Sequence, residues 1–210
     1  MYLQLENFCQ TLVNDFDAIP EERKKILETI SHYISSKILQ HKPVQLNYIC
    51  THNSRRSHFG QVWASVAAHY YKVNHFNSFS GGTETTAFNP NAIAALKNIG
   101  FNINIVKEGA NPVYEVRFDN QQKPVICFSK VYNDAVNPSN EFAAIMTCSD
   151  AEENCPFVQG AELRISTTYN DPKAFDNTPQ QEEKYLERCR QIALETFYVF
   201  SKIKTKALIE

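Results

Sequence analysis

The sequence predicts an α/β domain: an open parallel sheet of about four strands with helices on both faces, carrying two additions. Three observations predict it. From Val44 onward, short apolar strand-like runs alternate with helix-like stretches over residues 44–210, the pattern of a parallel sheet covered on both sides. Residues 1–43 show helical periodicity alone and read as an N-terminal helical extension. Residues from about 102 to 131 have hairpin texture and read as an insertion or sheet extension.

In chain order, Pro20 with Glu21 and Glu22 starts a helix, and Ile26, Ile30, Tyr33, Ile34 and Ile38 recur at its spacing. That stripe must pack on the main domain or on a second copy in a homodimer. VQLNYI is a first strand, and a loop of small and polar residues leads from it into a helix from Ser57 to about Val73. HFNSFS is a second strand, running into Gly81-Gly82, and Asn89-Pro90 opens a helix that Gly100 ends. YEVRF, a turn at Asp119-Asn120 and PVICFSKVY form the hairpin; FAAIMTC and LRIS are the remaining strands. A long helix from about Thr178 closes the chain, with Tyr185, Leu186, Cys189, Ile192, Ala193, Phe197 and Phe200 on one face.

The composition suits one domain with additions: 210 residues, 43% hydrophobic and 21% charged. A net charge of -2 argues against nucleic acid or an anionic membrane as partner. An anion must therefore be held by a local site. No run of about 18 apolar residues occurs, and the start MYLQLENFCQ lacks the basic and apolar regions of an export signal. The expected location is the cytoplasm. Six cysteines there are not a disulfide framework, and without a C-x2-C pair or a histidine at zinc spacing they predict no metal site. Cys9, Cys127 and Cys189 read as buried filler.

The chemistry concentrates in C50-T-H-N-S-R-R-S57, at the first strand-to-helix turn. Ligands of open parallel sheets bind beyond the carboxyl ends of the strands, and free N–H groups at a helix start attract anions. A cysteine facing that helix end is favoured as a thiolate. Arg56 can curl back to hold a tetrahedral oxyanion by two charge-assisted bonds. Ser57 can donate to the sulfur. A lone C-x5-R is a weak signal, and its position at the first βα turn is what gives it weight.

CTHNSRRS resembles the CTGNSCRS signature of thioredoxin-coupled arsenate reductases and, more loosely, the nucleophile loop of low-molecular-weight protein tyrosine phosphatases. SFSGGTETTAFNPNAIAALKNIG, IMTCSDAEENCPF and YNDP are similar to further stretches of the reductases, so the resemblance runs from about Val44 to the C-terminus apart from the hairpin. It implies an arsenate reductase with a low-molecular-weight phosphatase-like fold. Cys50 would be the nucleophile, Arg56 the oxyanion clamp and Asp171 the general acid. Thr51, His52, Asn53, Ser54, Arg55, Arg56 and Ser57 would form the oxyanion-binding loop.

Both family chemistries start with thiolate attack on the oxyanion and protonation of the leaving oxygen. A phosphatase then needs only water, whereas reducing arsenate needs two electrons from thiols. Cys148 and Cys155 are the discriminating pair. On a helix they stand about 10 Å apart along the axis, and a disulfide needs Cα atoms within about 7 Å, so the segment must partly unwind. The resemblance implies a Cys50–Cys148 disulfide with release of arsenite, then a Cys148–Cys155 disulfide presented to thioredoxin. The alternative is a tyrosine phosphatase hydrolysing phosphate monoesters, for which DPKAF offers only Phe175 as a phenyl-slot residue; a third reading is a non-catalytic oxyanion-binding or regulatory protein. Arg55 replaces the loop's second cysteine, and His52 replaces a glycine and is a candidate for backbone strain. Gln61 stands where many of the reductases have a glutamate associated with potassium, which puts that ion in doubt.

Overall fold

In a computed structural model, the structure describes residues 1–155 and 157–203. Pro156, which completes the predicted CP motif, and residues 204–210 of the main domain lie outside the described residues. Two N-terminal helices, α1 (Leu3–Val13) and α2 (Glu21–Leu39), flank a 3-10 turn at Phe16–Ala18. The alternating part follows as β1 (Val44–Cys50), α3 (Arg56–Tyr70), β2 (Phe76–Gly82) and α4 (Pro90–Ile99). After it come β3 (Asn102–Lys107), β4 (Val113–Arg117) and β5 (Val125–Cys127). The chain finishes with β6 (Phe142–Met146), α5 (Ser149–Asn154), β7 (Ala161–Ser166), a 3-10 turn at Pro172–Phe175 and α6 (Gln181–Ser201).

The main sheet has four strands in the order β2-β1-β6-β7, each pair parallel. β1 is central because it can be: six of its seven residues are buried, so both neighbours and both faces must be covered. Residues of β1 and β6 divide between two cores. Leu46, Tyr48, Ala143 and Ile145 join the large core made with α1, α2, α3, α4 and α6. Ile49, Ala144 and Met146 turn to the other face, where the short α5 and irregular segments around Val158 and Tyr132 close a much smaller core. Helices thus cover both faces, very unequally.

Local signals place the helices. Asn89 caps α4 by accepting from the N–H groups of Asn91 and Ala92, Pro90 takes the first helical position, and Gly100 ends it at φ 119°. Pro20 precedes α2 as expected, but the buried face is Leu27, Ile30, Ser31 and Ile34, whereas Ile26 is 38% exposed. The stripe is rotated because α2 packs against α6 through a polar seam: the Ser31 hydroxyl donates to the Val199 carbonyl at 2.8 Å. Small residues let the backbones approach, which shifts the contact line off Ile26. The predicted stripe on α6 is buried, with Leu186 partly so.

The hairpin region is a three-stranded antiparallel sheet, β3-β4-β5. One expectation fails here. PVICFSKVY is not one strand: β5 stops at Cys127, and the chain crosses to the main sheet, where Val131 bridges Gly82 in parallel. The Gly82 N–H donates to Lys130 at 2.8 Å, and the Tyr132 N–H donates to Gly82 at 2.9 Å. Those bonds compete with β4 for the same residues and draw the segment over the end of β2.

Among the described residues, no helix is long and apolar enough to cross a membrane.

Candidate functional site

The loop 51–55 joins the carboxyl end of β1 to the first turn of α3, whose N–H groups have no intrahelical acceptors. The tight reversal falls at Asn53, with φ 44° in the left-handed region, and not at His52, whose predicted strain is absent. Asparagine tolerates that conformation better than most residues. Its side chain then locks the loop: Nδ2 donates to Ser57 Oγ at 2.8 Å, and Oδ1 accepts from the Lys130 N–H at 2.9 Å. Ser57 Oγ lies 3.1 Å from Cys50 Sγ. When Cys50 is a thiolate, the Ser57 hydroxyl is the only donor between the two atoms.

Arg56, the first residue of α3, is 7% exposed. Its Nη1 donates to the Tyr169 carbonyl at 2.8 Å and its Nη2 to Asp171 Oδ2 at 2.7 Å. Its Nε is buried without a partner, a donor held ready in a place water does not reach. Asp171 starts the 3-10 turn by accepting the Lys173 N–H at 3.0 Å, and its side chain is 30% exposed. Two clusters result, Cys50 with Asn53 and Ser57, and Arg56 with Asp171 and Tyr169, joined through the adjacent residues Arg56 and Ser57 at the start of α3.

The other predicted loop residues face elsewhere. His52 is half-buried, 3.6 Å from Glu84, and Ser54 donates to the Ala87 carbonyl. Arg55 turns to α6, donating to the Tyr185 hydroxyl at 2.8 Å and lying 3.6 Å from Asp176. Its Nε also lies 3.9 Å from Asp171 Oδ1, so Arg55 and Arg56 share that carboxylate while the Arg55 side chain is held by α6. Only backbone groups of His52, Ser54 and Arg55 are thus candidates for oxyanion contact. Thr51 differs again: its hydroxyl lies 3.3 Å from Cys148 Sγ, linking the loop to the second thiol.

Cys148 ends the run after β6 and caps α5, its sulfur accepting from the Ala151 N–H at 3.4 Å. Cys155 sits at the other end of α5, its thiol directed to the Phe157 carbonyl at 3.5 Å. Cys50, Cys148 and Cys155 are 3%, 1% and 6% exposed and share the small core on the second face of the sheet. All six cysteines are free thiols. Cys9, Cys127 and Cys189 lie in the large core, where burial pushes each thiol up to about 12.

Several residues that hold this site went unread in the sequence. Tyr169, whose carbonyl anchors Arg56, donates its hydroxyl to Glu195 at 2.8 Å. Glu195 is paired with Arg23 of α2 at 2.7 Å, and Arg23 also donates to the Thr167 carbonyl. Burial and the Glu195 carboxylate hold the Tyr169 phenol well above its usual range. The readable signal was a glutamate on the apolar face of α6. Ser129 donates to the His52 carbonyl at 2.9 Å and accepts from the Thr86 N–H at 2.8 Å, so the segment after the hairpin also braces the loop. Gly82 lets β2 meet the loop: a Cβ there would stand 2.3 Å from the Glu84 carbonyl oxygen and 2.6 Å from that of Thr51.

Gln61 does not fit a potassium site. Its Nε2 faces the carbonyls of Ser78 and Ile126, and its Oε1 accepts from Ser80 Oγ at 2.6 Å. Its amide N–H groups occupy the carbonyls that would otherwise serve as cation ligands, and its own oxygen is taken by the Ser80 hydroxyl. Lys130, buried in the adjoining wall, adds a further positive group, and desolvation lowers it to about 8.

No protein-family model matches the chain. Curated relatives do: an arsenate reductase of Bacillus subtilis (strain 168) is 26% identical over 143 residues, 68% of this chain and 84% of the relative. One of Staphylococcus aureus (strain Newman) is 28% identical over 150 residues, 71% of this chain and 92% of the relative. Among solved structures, a low-molecular-weight phosphotyrosine phosphatase of Vibrio cholerae O395 superposes with a TM-score of 0.51 at 12% identity, over 75% of this chain and 95% of that one. An arsenate reductase in its phosphate-binding state superposes at 0.50 with 16% identity, over 77% and 99%. At those identities the structures speak for the fold alone. The chain is thus similar in sequence to arsenate reductases and in fold to low-molecular-weight protein tyrosine phosphatases.

Proposed function

We propose that the protein reduces arsenate to arsenite, using Cys50 as nucleophile and Cys148 and Cys155 as the source of electrons. The observation that carries this reading is the company Cys50 keeps. Two further thiols lie in its own small core, and one of them is 3.3 Å from the hydroxyl of the adjacent loop residue Thr51. Hydrolysis of a phosphate ester has no use for them.

Arsenate enters the loop 51–56, where helix N–H groups and the free Nε of Arg56 receive its oxygens. Ser57 donates to Cys50 Sγ and steadies it as an anion. Cys50 attacks arsenic, and one oxygen leaves as water with a proton from Asp171, whose Oδ2 accepts from Arg56 Nη2. Cys148 then attacks the sulfur of Cys50. The S–As electron pair departs with arsenic as arsenite, and a Cys50–Cys148 disulfide forms, so two thiol electrons match the reduction of As(V) to As(III). Cys155 attacks Cys148, Cys50 is released, and the Cys148–Cys155 disulfide is reduced by an external dithiol protein of the thioredoxin type.

Arg56 is bonded to Asp171 at 2.7 Å, so an incoming oxyanion must compete for the guanidinium.

The test is a coupled assay with arsenate, thioredoxin, thioredoxin reductase and NADPH, beside hydrolysis of p-nitrophenyl phosphate. Sustained NADPH consumption that requires arsenate, Cys50, Cys148 and Cys155 is the expected result. Turnover of the phosphate ester requiring Cys50 alone, with no arsenate-dependent NADPH use, overturns the reading in favour of a phosphatase.

A further inference from the structure

The two ends of α5 are Cys148 and Cys155, and the helix between them is weakly built. It has six residues, and Ala151 is the one residue of it that is buried. A single alanine supplies little apolar burial, so polar contacts must carry much of the work of keeping α5 formed. At the start, Cys148 provides them itself, through its sulfur and through its carbonyl, which accepts from the Glu152 N–H at 3.1 Å.

At the finish they come from β7. Arg164 Nη2 donates to the Glu152 carbonyl at 2.6 Å, and Arg164 Nε donates to the Cys155 carbonyl at 3.0 Å. Two residues along the same strand, Ser166 Oγ donates to the Glu152 carboxylate at 2.5 Å. The last carbonyls of a helix have no intrahelical donors, and a cation there also opposes the negative end of the helix dipole. Arg164 meets both needs with one planar side chain fixed on the main sheet beside β6.

We propose that Arg164 is a latch that keeps α5 wound and so holds the Cys148 and Cys155 sulfurs apart. Resting on the reductase reading above, it is a positioning residue: it touches neither the oxyanion nor a sulfur. Wound, α5 separates the two residues by about 10 Å along its axis, beyond the Cα distance of about 7 Å that a disulfide allows. Closing the bridge requires the Glu152 and Cys155 carbonyls to leave Arg164. The latch therefore favours the dithiol form and sets how readily the second disulfide closes.

The test uses the full chain with Cys50→Ser, so that neither arsenate nor the first disulfide is involved. It is equilibrated in mixtures of oxidised and reduced dithiothreitol: Cys148 and Cys155 give up two electrons and two protons, and the cyclic disulfide of the reagent opens to its dithiol. Non-reducing peptide mass mapping gives the closure constant, and amide hydrogen exchange on the dithiol form follows residues 151–155. With Arg164→Gln added, closure should rise about tenfold and exchange in α5 should quicken about tenfold, the lower range for losing a hydrogen bond from a charged donor. Arg164→Lys should fall between, since one ammonium cannot span both carbonyls. Protection in β1 and β6 is the control for folding; if Arg164→Gln loses it, Ser166→Ala asks the same question with a smaller shift in the same direction. Unchanged exchange in α5 with an unchanged closure constant overturns the latch. A bridge that forms in no variant, with α5 exchange still faster in Arg164→Gln, keeps the latch and overturns the thiol cascade instead.

Discussion

Arg23→Ala tests whether the N-terminal helices support the site. Arg23 makes two bonds to Glu195 Oε2, at 2.9 and 2.7 Å, one to the Thr167 carbonyl at 3.0 Å, and lies 5.0 Å over the Tyr169 ring. Its side chain is 18% exposed and that of Glu195 is 5% exposed. Removing one member of a buried pair costs about 3–5 kcal/mol, because the other charge stays buried. Glu195 keeps the Tyr169 hydroxyl and Gln191, and the edge of Arg23 reaches solvent, so the lower end applies, about 3 kcal/mol. For a chain of this size that is a drop in Tm of roughly 6–12 °C by calorimetry. Activity should fall as well, because Tyr169 is the residue whose carbonyl aims Arg56; a loss of about 10- to 100-fold in kcat/KM is expected from misplacement on the order of 1 Å. In a double-mutant cycle with Glu195→Gln, the second change should cost clearly less on the Arg23→Ala background than alone. A Tm within about 2 °C of wild type, with additive effects, would refute this account of the network.

Three other outcomes follow from single contacts. Gly82→Ala drives a Cβ into backbone atoms of Thr51 and Glu84, so the oxyanion loop must move; the chain should remain folded by circular dichroism while kcat/KM falls about 100-fold or more. Lys130 is neutralised more easily in the fold, at about 8, than in the unfolded chain, where 10.5 is its ordinary value. The unfolded state thus binds more protons between those values, and wild-type stability relative to Lys130→Met should rise from pH 8 to pH 10.5 in urea titrations, by about 2–3 kcal/mol. Iodoacetamide at neutral pH should label Cys127 and Cys189 very slowly, because burial keeps both protonated up to about 12. Cys50 should be labelled sooner, and phosphate should protect it; equal rates at all three with no effect of phosphate would count against the oxyanion loop.

What could be read from the sequence is what local chemistry dictates. Asn89-Pro90 and Gly100 mark α4 by the backbone conformations they permit, and the structure has all three in those roles. The placement of Cys50 at the end of β1 beside the Ser57 hydroxyl could be read because a strand-to-helix turn leaves few ways to arrange them. The orientation of Arg55 could not, since it depends on Tyr185 and Asp176, more than a hundred residues away. Ile26 was misjudged because helical spacing locates a stripe only to within a turn, and Ser31 against Val199 decided the line of contact. The end of β5 was lost for a related reason: FSKVY has the same strand propensity whether it pairs with β4 or crosses to Gly82. Arg23, Tyr169 and Glu195 are linked only in space. A charge on an apolar helix face is a local sign of such a network, and it does not name its partners.

The most direct measurement of the central claim is the species trapped in Cys155→Ser after arsenate is added without external reductant. Non-reducing peptide mass mapping should find a Cys50–Cys148 disulfide, with one arsenite released per chain, and thioredoxin should restore no sustained turnover. Wild-type protein treated in the same way should carry the Cys148–Cys155 disulfide with Cys50 free. Arsenate turnover by Cys155→Ser at the wild-type rate, or the absence of any Cys50–Cys148 bridge, would contradict the account.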